Sequence, residues 1–183
     1  MIPIGLFLLG RQIASEPISR ITSVQIHYKR VGDGNSAIAT VTERTIKGHT
    51  FKQDFQLDTY PGGAGNTKPI ILDHGLVAIF TRHEMSRFNI IVGLTVANVE
   101  VKVDEDYNEK LFDAIPAKVR IKANLIPNNA QIIRVSKGIV TINFENRDDK
   151  DGVRATFRIK NGKWTCLSAK YWRDPNWDGI RRF

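Results

Sequence analysis

The chain predicts an α+β fold: a β-rich single domain, mainly antiparallel sheet with one or two short helices. Three observations carry this. Apolar and polar residues alternate with period two over several stretches, as in half-buried strands. Turn-forming clusters such as Gly32-Asp33-Gly34-Asn35 and Asn161-Gly162 divide those stretches at short intervals. Helical spacing, by contrast, is confined to short segments after Asp73 and Asp104. With 183 residues, 42% hydrophobic and 25% charged, the composition is that of an ordinary globular domain, which excludes fibrous, low-complexity and wholly disordered classes. The expected division is an apolar N-terminal arm over residues 1–15 and one β-rich domain over 16–183 with a basic C-terminal third.

Met1 to Gly10 is the most apolar stretch, but it is far shorter than the roughly 20 residues of a membrane-spanning helix. It also lacks the basic start of a secretory signal. Ile4, Leu6, Phe7 and Leu8 are therefore read as self-association residues, on an arm that packs on its own domain or docks on a neighbouring subunit; a membrane contact is the rival reading.

From Arg20 the alternation places Thr22, Val24, Ile26 and Tyr28 on one strand face. Ile38 to Ile46 is the return strand and Phe51, Phe55 and Leu57 mark a third, a hairpin extended into a meander. Pro61 to Pro69 is a glycine-rich surface loop. Asp73 can cap a helix on which Leu76, Ile79, Phe80 and His83 share a face, although Gly75, Val77 and Ile79 equally suit a short strand. Phe88 to Val103 reads as a long strand ending with Val99, Val101 and Val103 inward. Asp104 to Asp106 opens a short helix buried through Leu111, Phe112 and Ile115 and stopped by Pro116.

Val119, Ile121, Ala123 and Leu125 alternate with Lys118, Arg120 and Lys122, which predicts a strand presenting three cations from one face. Val140, Ile142 and Phe144 mark another strand, followed by a charged turn from Asn146 to Gly152. Asn161-Gly162 between two alternating runs is the favoured two-residue hairpin turn. It sets a register: Ile159 opposite Trp164 and Phe157 opposite Cys166 inward, Lys160 opposite Lys163 and Arg158 opposite Thr165 outward.

Charge is distributed unevenly. Residues 1–117 hold 12 basic and 13 acidic side chains, net −1, whereas residues 118–183 hold 15 and 6, net +9. Clustered cations repel one another, and a polyanionic partner relieves that repulsion. The candidate polyanion-binding residues are Lys118, Arg120, Lys122, Arg154, Arg158, Lys160, Lys163, Lys170, Arg173, Arg181 and Arg182. Tyr171, Trp172 and Trp177 lie among them as candidate stacking or interface aromatics. The bland alternatives are a solvated basic edge that deters strand pairing, and tryptophans that pin the tail to the core.

Catalytic and cofactor signatures give little. Gly62 to Lys68 lacks the Gly-Lys-Ser/Thr ending of a phosphate-binding loop, and no nucleophile-elbow pattern occurs. Asp73-His74 and His83-Glu84 are spaced wrongly for joint metal ligation. Cys166, the only cysteine, falls on the inward side of the hairpin and can form no intramolecular disulfide. The expectation is no enzyme, no metal and no cofactor, in a cytoplasmic setting, peripheral to a membrane or within a virion, and not secreted.

The stretch from Phe88 to Tyr107, running into a helix with an acidic start, resembles the central strand and helix of rhabdovirus-type matrix proteins. The closing hairpin from Phe157 to Cys166 is similar in character to the end of that family's domain. The apolar start departs from the lysine- and proline-rich arm of many animal-virus members. The resemblance implies a self-associating layer protein that condenses a nucleocapsid and contacts the inner membrane leaflet.

Together these readings lead to a non-enzymatic structural or assembly protein that forms homo-oligomers and binds anionic lipid or nucleic acid in a ribonucleoprotein. No small-molecule substrate is identified. An RNA-binding module using the basic strands and tail aromatics is the alternative, and a small enzyme with a pocket near His74 and His83 is the third.

Overall fold

Three antiparallel sheets stack around two apolar cores. The structure, a computed structural model, describes residues 19–31, 34–57, 68–83, 88–97, 100–123, 129–146 and 150–175. The first sheet is the expected meander of β1 (Ser19–Val31), β2 (Gly34–Thr45) and β3 (Thr50–Gln56), in that order. The second consists of β4 (Ile70–Leu72), β5 (Val77–His83), β6 (Asn89–Ala97) and β7 (Glu100–Asp104), again in sequence order. Helices α1 (Tyr107–Asp113) and α2 (Ala117–Ala123) lead to the third sheet. Its strands are β8 (Ala130–Ser136), β9 (Ile139–Asn146), β10 (Asp151–Lys160) and β11 (Lys163–Arg173).

The second sheet is the middle layer. Val77, Ile79 and Ile91 join one core with α1, Val140, Ile142, Phe144, Val153, Ala155, Phe157 and Ile159. Ala78, Phe80, Val92 and Leu94, the alternate positions, join the other with Ala37, Ala39, Val41 and Leu57. A strand covered on both faces has no reason to alternate, and β5 is buried from Val77 to Arg82.

That double burial explains the first departure from the sequence reading. The helix expected from Asp73 is instead a 3-10 turn at Asp73–Gly75 followed by β5, with β4 before it. Leu76, Ile79 and Phe80 coincide with helical spacing only because every position is apolar. Positive φ at three successive residues, Asp73 (49°), His74 (57°) and Gly75 (88°), turns the chain where a helix would continue. The Asp73 carboxylate accepts a hydrogen bond from the Gly162 backbone N–H, tying this turn to the tip of the β10–β11 hairpin.

The long strand expected from Phe88 to Val103 is two strands, β6 and β7, with Ala97 opposite Glu100. Val101 is buried and Val103 half-buried, while Val99 lies outside the described residues. The strand expected around Lys118, Arg120 and Lys122 is the helix α2. Pro116, read as a helix stop, serves equally to start one. Its carbonyl accepts from the Val119 and Arg120 N–H groups, and a proline at a helix start forfeits no helical hydrogen bond. Val119 packs on the core, but Ile121 is 78% exposed, so the apparent alternation marks no buried face. Strand β8 is mostly exposed and carries no alternating signal in the sequence. Strands β9 and β10 also extend into the charged segment read as a turn, reaching Asn146 and starting again at Asp151.

The closing hairpin has the expected register: Phe157 opposite Cys166, Arg158 opposite Thr165, Ile159 opposite Trp164, Lys160 opposite Lys163. Asn161 and Gly162 both take positive φ, 53° and 70°, as the tight hairpin turn requires.

Candidate basic face of the third sheet

Register assigns each cation of β10 and β11 to a face. Val153, Ala155, Phe157 and Ile159 point into the core, so Arg154, Arg158 and Lys160 point outward, and all three are exposed. On β11, Lys163 and Thr165 are their outward partners. A β-bulge then intervenes: Thr156 pairs with Ser168 and Phe157 with Cys166, leaving Leu167 as an extra residue, 44% exposed. A one-residue slip exchanges the two faces of a strand. Beyond the bulge, Ser168, Lys170 and Trp172 therefore face outward, with Lys170 opposite Arg154 and Trp172 opposite Gly152. Two like-charge pairs, Lys160 with Lys163 and Arg154 with Lys170, thus share one face.

Strands β9 and β8 continue it. Thr141 and Asn143 lie beside Thr156 and Arg154. Arg134 of β8, opposite Thr141, adds an exposed cation that the sequence reading did not single out. It too follows a bulge, between Ile132 and Arg134, which hides its facing from simple alternation. Among the described residues none of Arg134, Arg154, Arg158, Lys160, Lys163 or Lys170 makes an ion pair. The ion pairs that are described, Arg82–Glu105, Lys110–Asp104 and Arg120–Asp113, involve residues of α1, α2, β5, the end of β7 and the turn after it. There the hydrogen bond from Lys110 to Asp104 raises the Lys110 pKa above its ordinary value. Glu145, opposite Gly152, brings an acid to this face and accepts a 3.0 Å hydrogen bond from Asn129.

Trp172 lies across the end of this face. A Cβ placed on Gly152 would sit 2.7 Å from Trp172 Cζ2, so the indole rests directly on the glycine backbone. Its Nε1–H donates to Asn143 Oδ1 at 2.9 Å across the sheet. The half-buried indole is thereby held against the sheet.

Other predicted site residues go elsewhere. Helix α2 covers the opposite, core-facing side of the sheet: Val119 packs on the core, and Lys122 Nζ stands 5.1 Å from the ring of Tyr171. Tyr171 has the inward parity of Val153, and its hydroxyl donates to Asp151 at 2.9 Å. Arg120 is paired with Asp113 at 2.7 Å and lies over the Phe112 ring. Lys118 is exposed on the same helix. These four residues do not join the outward face: Lys118, Arg120 and Lys122 lie on a helix behind the sheet, and Tyr171 has the inward parity of β11. Arg173 is exposed at the end of β11, opposite Asp151, on the inward parity. Ile4, Leu6, Phe7, Leu8, Trp177, Arg181 and Arg182 lie outside the described residues.

Cys166 is half-buried against the core, and burial pushes its thiol pKa up, which disfavours the nucleophilic thiolate. His74 and His83 stand at opposite ends of β5, the latter bonded to Asn89 at 2.8 Å. Among the described residues no group of three or more His, Cys, Asp or Glu side chains could hold a metal ion, and no helix is long and apolar enough to cross a membrane. The chain matches no protein-family profile, no curated protein and no solved structure.

Proposed function

We propose that the protein is a non-enzymatic structural protein that binds single-stranded nucleic acid on the outward face of β8–β11. The observation that supports this most is the alignment of six cations without ion pairs on one sheet face, with like charges directly opposite at two places. Such pairs destabilise an isolated sheet, and a bound phosphate chain turns that cost into attraction.

Trp172 favours nucleic acid over an anionic membrane. Its indole packs against Gly152 and shares the outward face with Arg154 and Lys170, which places an aromatic among cations where a base can stack. Thr141, Thr156, Thr165, Ser168 and Asn143 supply hydrogen-bonding groups between the cations. A layer protein of the matrix type, which the sequence resembles, would use the same face against a ribonucleoprotein.

Fluorescence anisotropy with a labelled oligouridylate tests the reading, with vesicles of phosphatidylserine and phosphatidylcholine as the competing ligand. Saturable oligonucleotide binding that Arg154→Ala with Arg158→Ala weakens is expected. Binding to the vesicles alone would transfer the face to a membrane role, and binding to neither would end the proposal.

A further inference from the structure

We infer that strand β3 is a self-recognition edge through which two copies of this chain join their first sheets. β3 pairs with β2 on one side and with no other strand among the described residues. It runs without a bulge or proline, and an open edge of this kind is a template for another strand.

Which backbone groups it offers follows from the ladder. The Leu57 N–H donates to the Ala37 carbonyl, so the residues of the same parity, Phe51, Gln53 and Phe55, turn their N–H and C=O groups toward β2. Thr50, Lys52, Asp54 and Gln56 turn theirs outward. A partner strand must therefore pair through these four.

The sequence Thr50-Phe-Lys-Gln-Asp-Phe-Gln56 is complementary to itself when reversed about Gln53. Antiparallel pairing about a two-fold axis at Gln53 sets Lys52 of one copy against Asp54 of the other, and Thr50 against Gln56, in the hydrogen-bonded positions. Phe51 then meets Phe55 in the closer, non-hydrogen-bonded positions, where aromatic pairs interact best. Phe51 is 57% exposed, so it has surface to bury. Centring the pair on Lys52 or on Asp54 instead would oppose like charges, and centring it on Phe51 or Phe55 would leave only three residues of the strand paired. Strand β7 is the instructive contrast: the same operation about Lys102 opposes Lys102 to itself and Glu100 to Asp104. The interface is isologous, as in closed two-fold dimers, and it produces a continuous sheet in the order β1-β2-β3-β3-β2-β1. It does not depend on the nucleic-acid reading, because β3 and the basic face belong to different sheets.

Sedimentation velocity on the full chain over a concentration series tests it through charge exchange. The wild-type chain is expected to dimerise as concentration rises. Lys52→Asp or Asp54→Lys alone, each creating two repulsive pairs by symmetry, should raise the dissociation constant about tenfold or more. The double exchange should restore dimerisation. Hydrogen exchange on the wild-type chain provides an independent check: the Lys52 and Asp54 amides gain protection with concentration, whereas Phe51 and Gln53 are protected throughout. A chain that stays monomeric, a dimer indifferent to either single exchange, or concentration-independent exchange at Lys52 and Asp54 overturns the inference.

Discussion

The β10–β11 hairpin and helix α2 are both rich in lysine and arginine, yet they differ in what those charges meet. On α2, Arg120 is held by Asp113 and by the face of Phe112, and Lys122 stands over Tyr171. On the outward face of the hairpin, Arg154, Arg158, Lys160, Lys163 and Lys170 stand opposite Thr165, Asn143, Ile139 or one another. A count of basic residues becomes a candidate binding surface only where strand register aligns them and leaves them without ion pairs. Exposed ion pairs contribute little to stability, so α2's charges can be satisfied locally at small gain, whereas aligned like charges carry a cost that an external anion removes.

The comparison can be broken most severely at Gly152, the bed on which Trp172 lies. Gly152→Val would drive a side chain into the Phe144 carbonyl oxygen, 2.2 Å from the Cβ position, and into the indole. Overpacking of this kind costs roughly 1–3 kcal/mol or more. Urea denaturation should show that loss together with weaker oligonucleotide binding; unchanged stability would mean that the indole does not rest there. Trp172→Ala separates the two effects, with binding reduced by about 1–3 kcal/mol for a stacked base and the fold retained. Tyr171→Phe, on the other side of the sheet, should leave oligonucleotide affinity unchanged. The smallest effect concerns Cys166, on the core-facing side of the same hairpin. With its thiol pKa raised by burial, the folded chain should alkylate slowly with iodoacetamide at neutral pH, and the rate should climb only above the ordinary thiol range. Rapid labelling at neutral pH would show the inward side to be open.

Much of the β architecture was legible because it rests on local rules. Asn161-Gly162 specifies its turn, and from that turn the pairs as far as Phe157 with Cys166 follow by counting. Counting fails at Leu167, since nothing in the local pattern announces a bulge. That residue decides that Lys170 and Trp172 share a face with Lys160. Arg134 was hidden in the same way by the bulge in β8. At β5 the sequence pattern imitates a helix because burial on both faces erases alternation, and the three positive φ values at Asp73, His74 and Gly75 have no signal in the apolar pattern. Gly75 packs so closely on β1 that a Cβ there would lie 2.7 Å from the Ile21 carbonyl oxygen. At α2, alternation of Val119, Ile121 and Ala123 with cations imitates a strand, while Pro116 and residues of good helix propensity favour one turn and more of helix.

The most direct measurement is the salt dependence of oligouridylate binding, compared between variants of the two basic regions. The wild-type plot of log K against log salt should fall with a slope of about −4 if all six outward cations meet phosphates of a single strand. Arg154→Ala with Lys170→Ala should flatten the slope by about 0.7 per residue, and Lys118→Ala with Lys122→Ala should leave it unchanged. A slope near zero, or equal losses from both pairs of substitutions, would contradict the assignment of binding to the outward face of the third sheet.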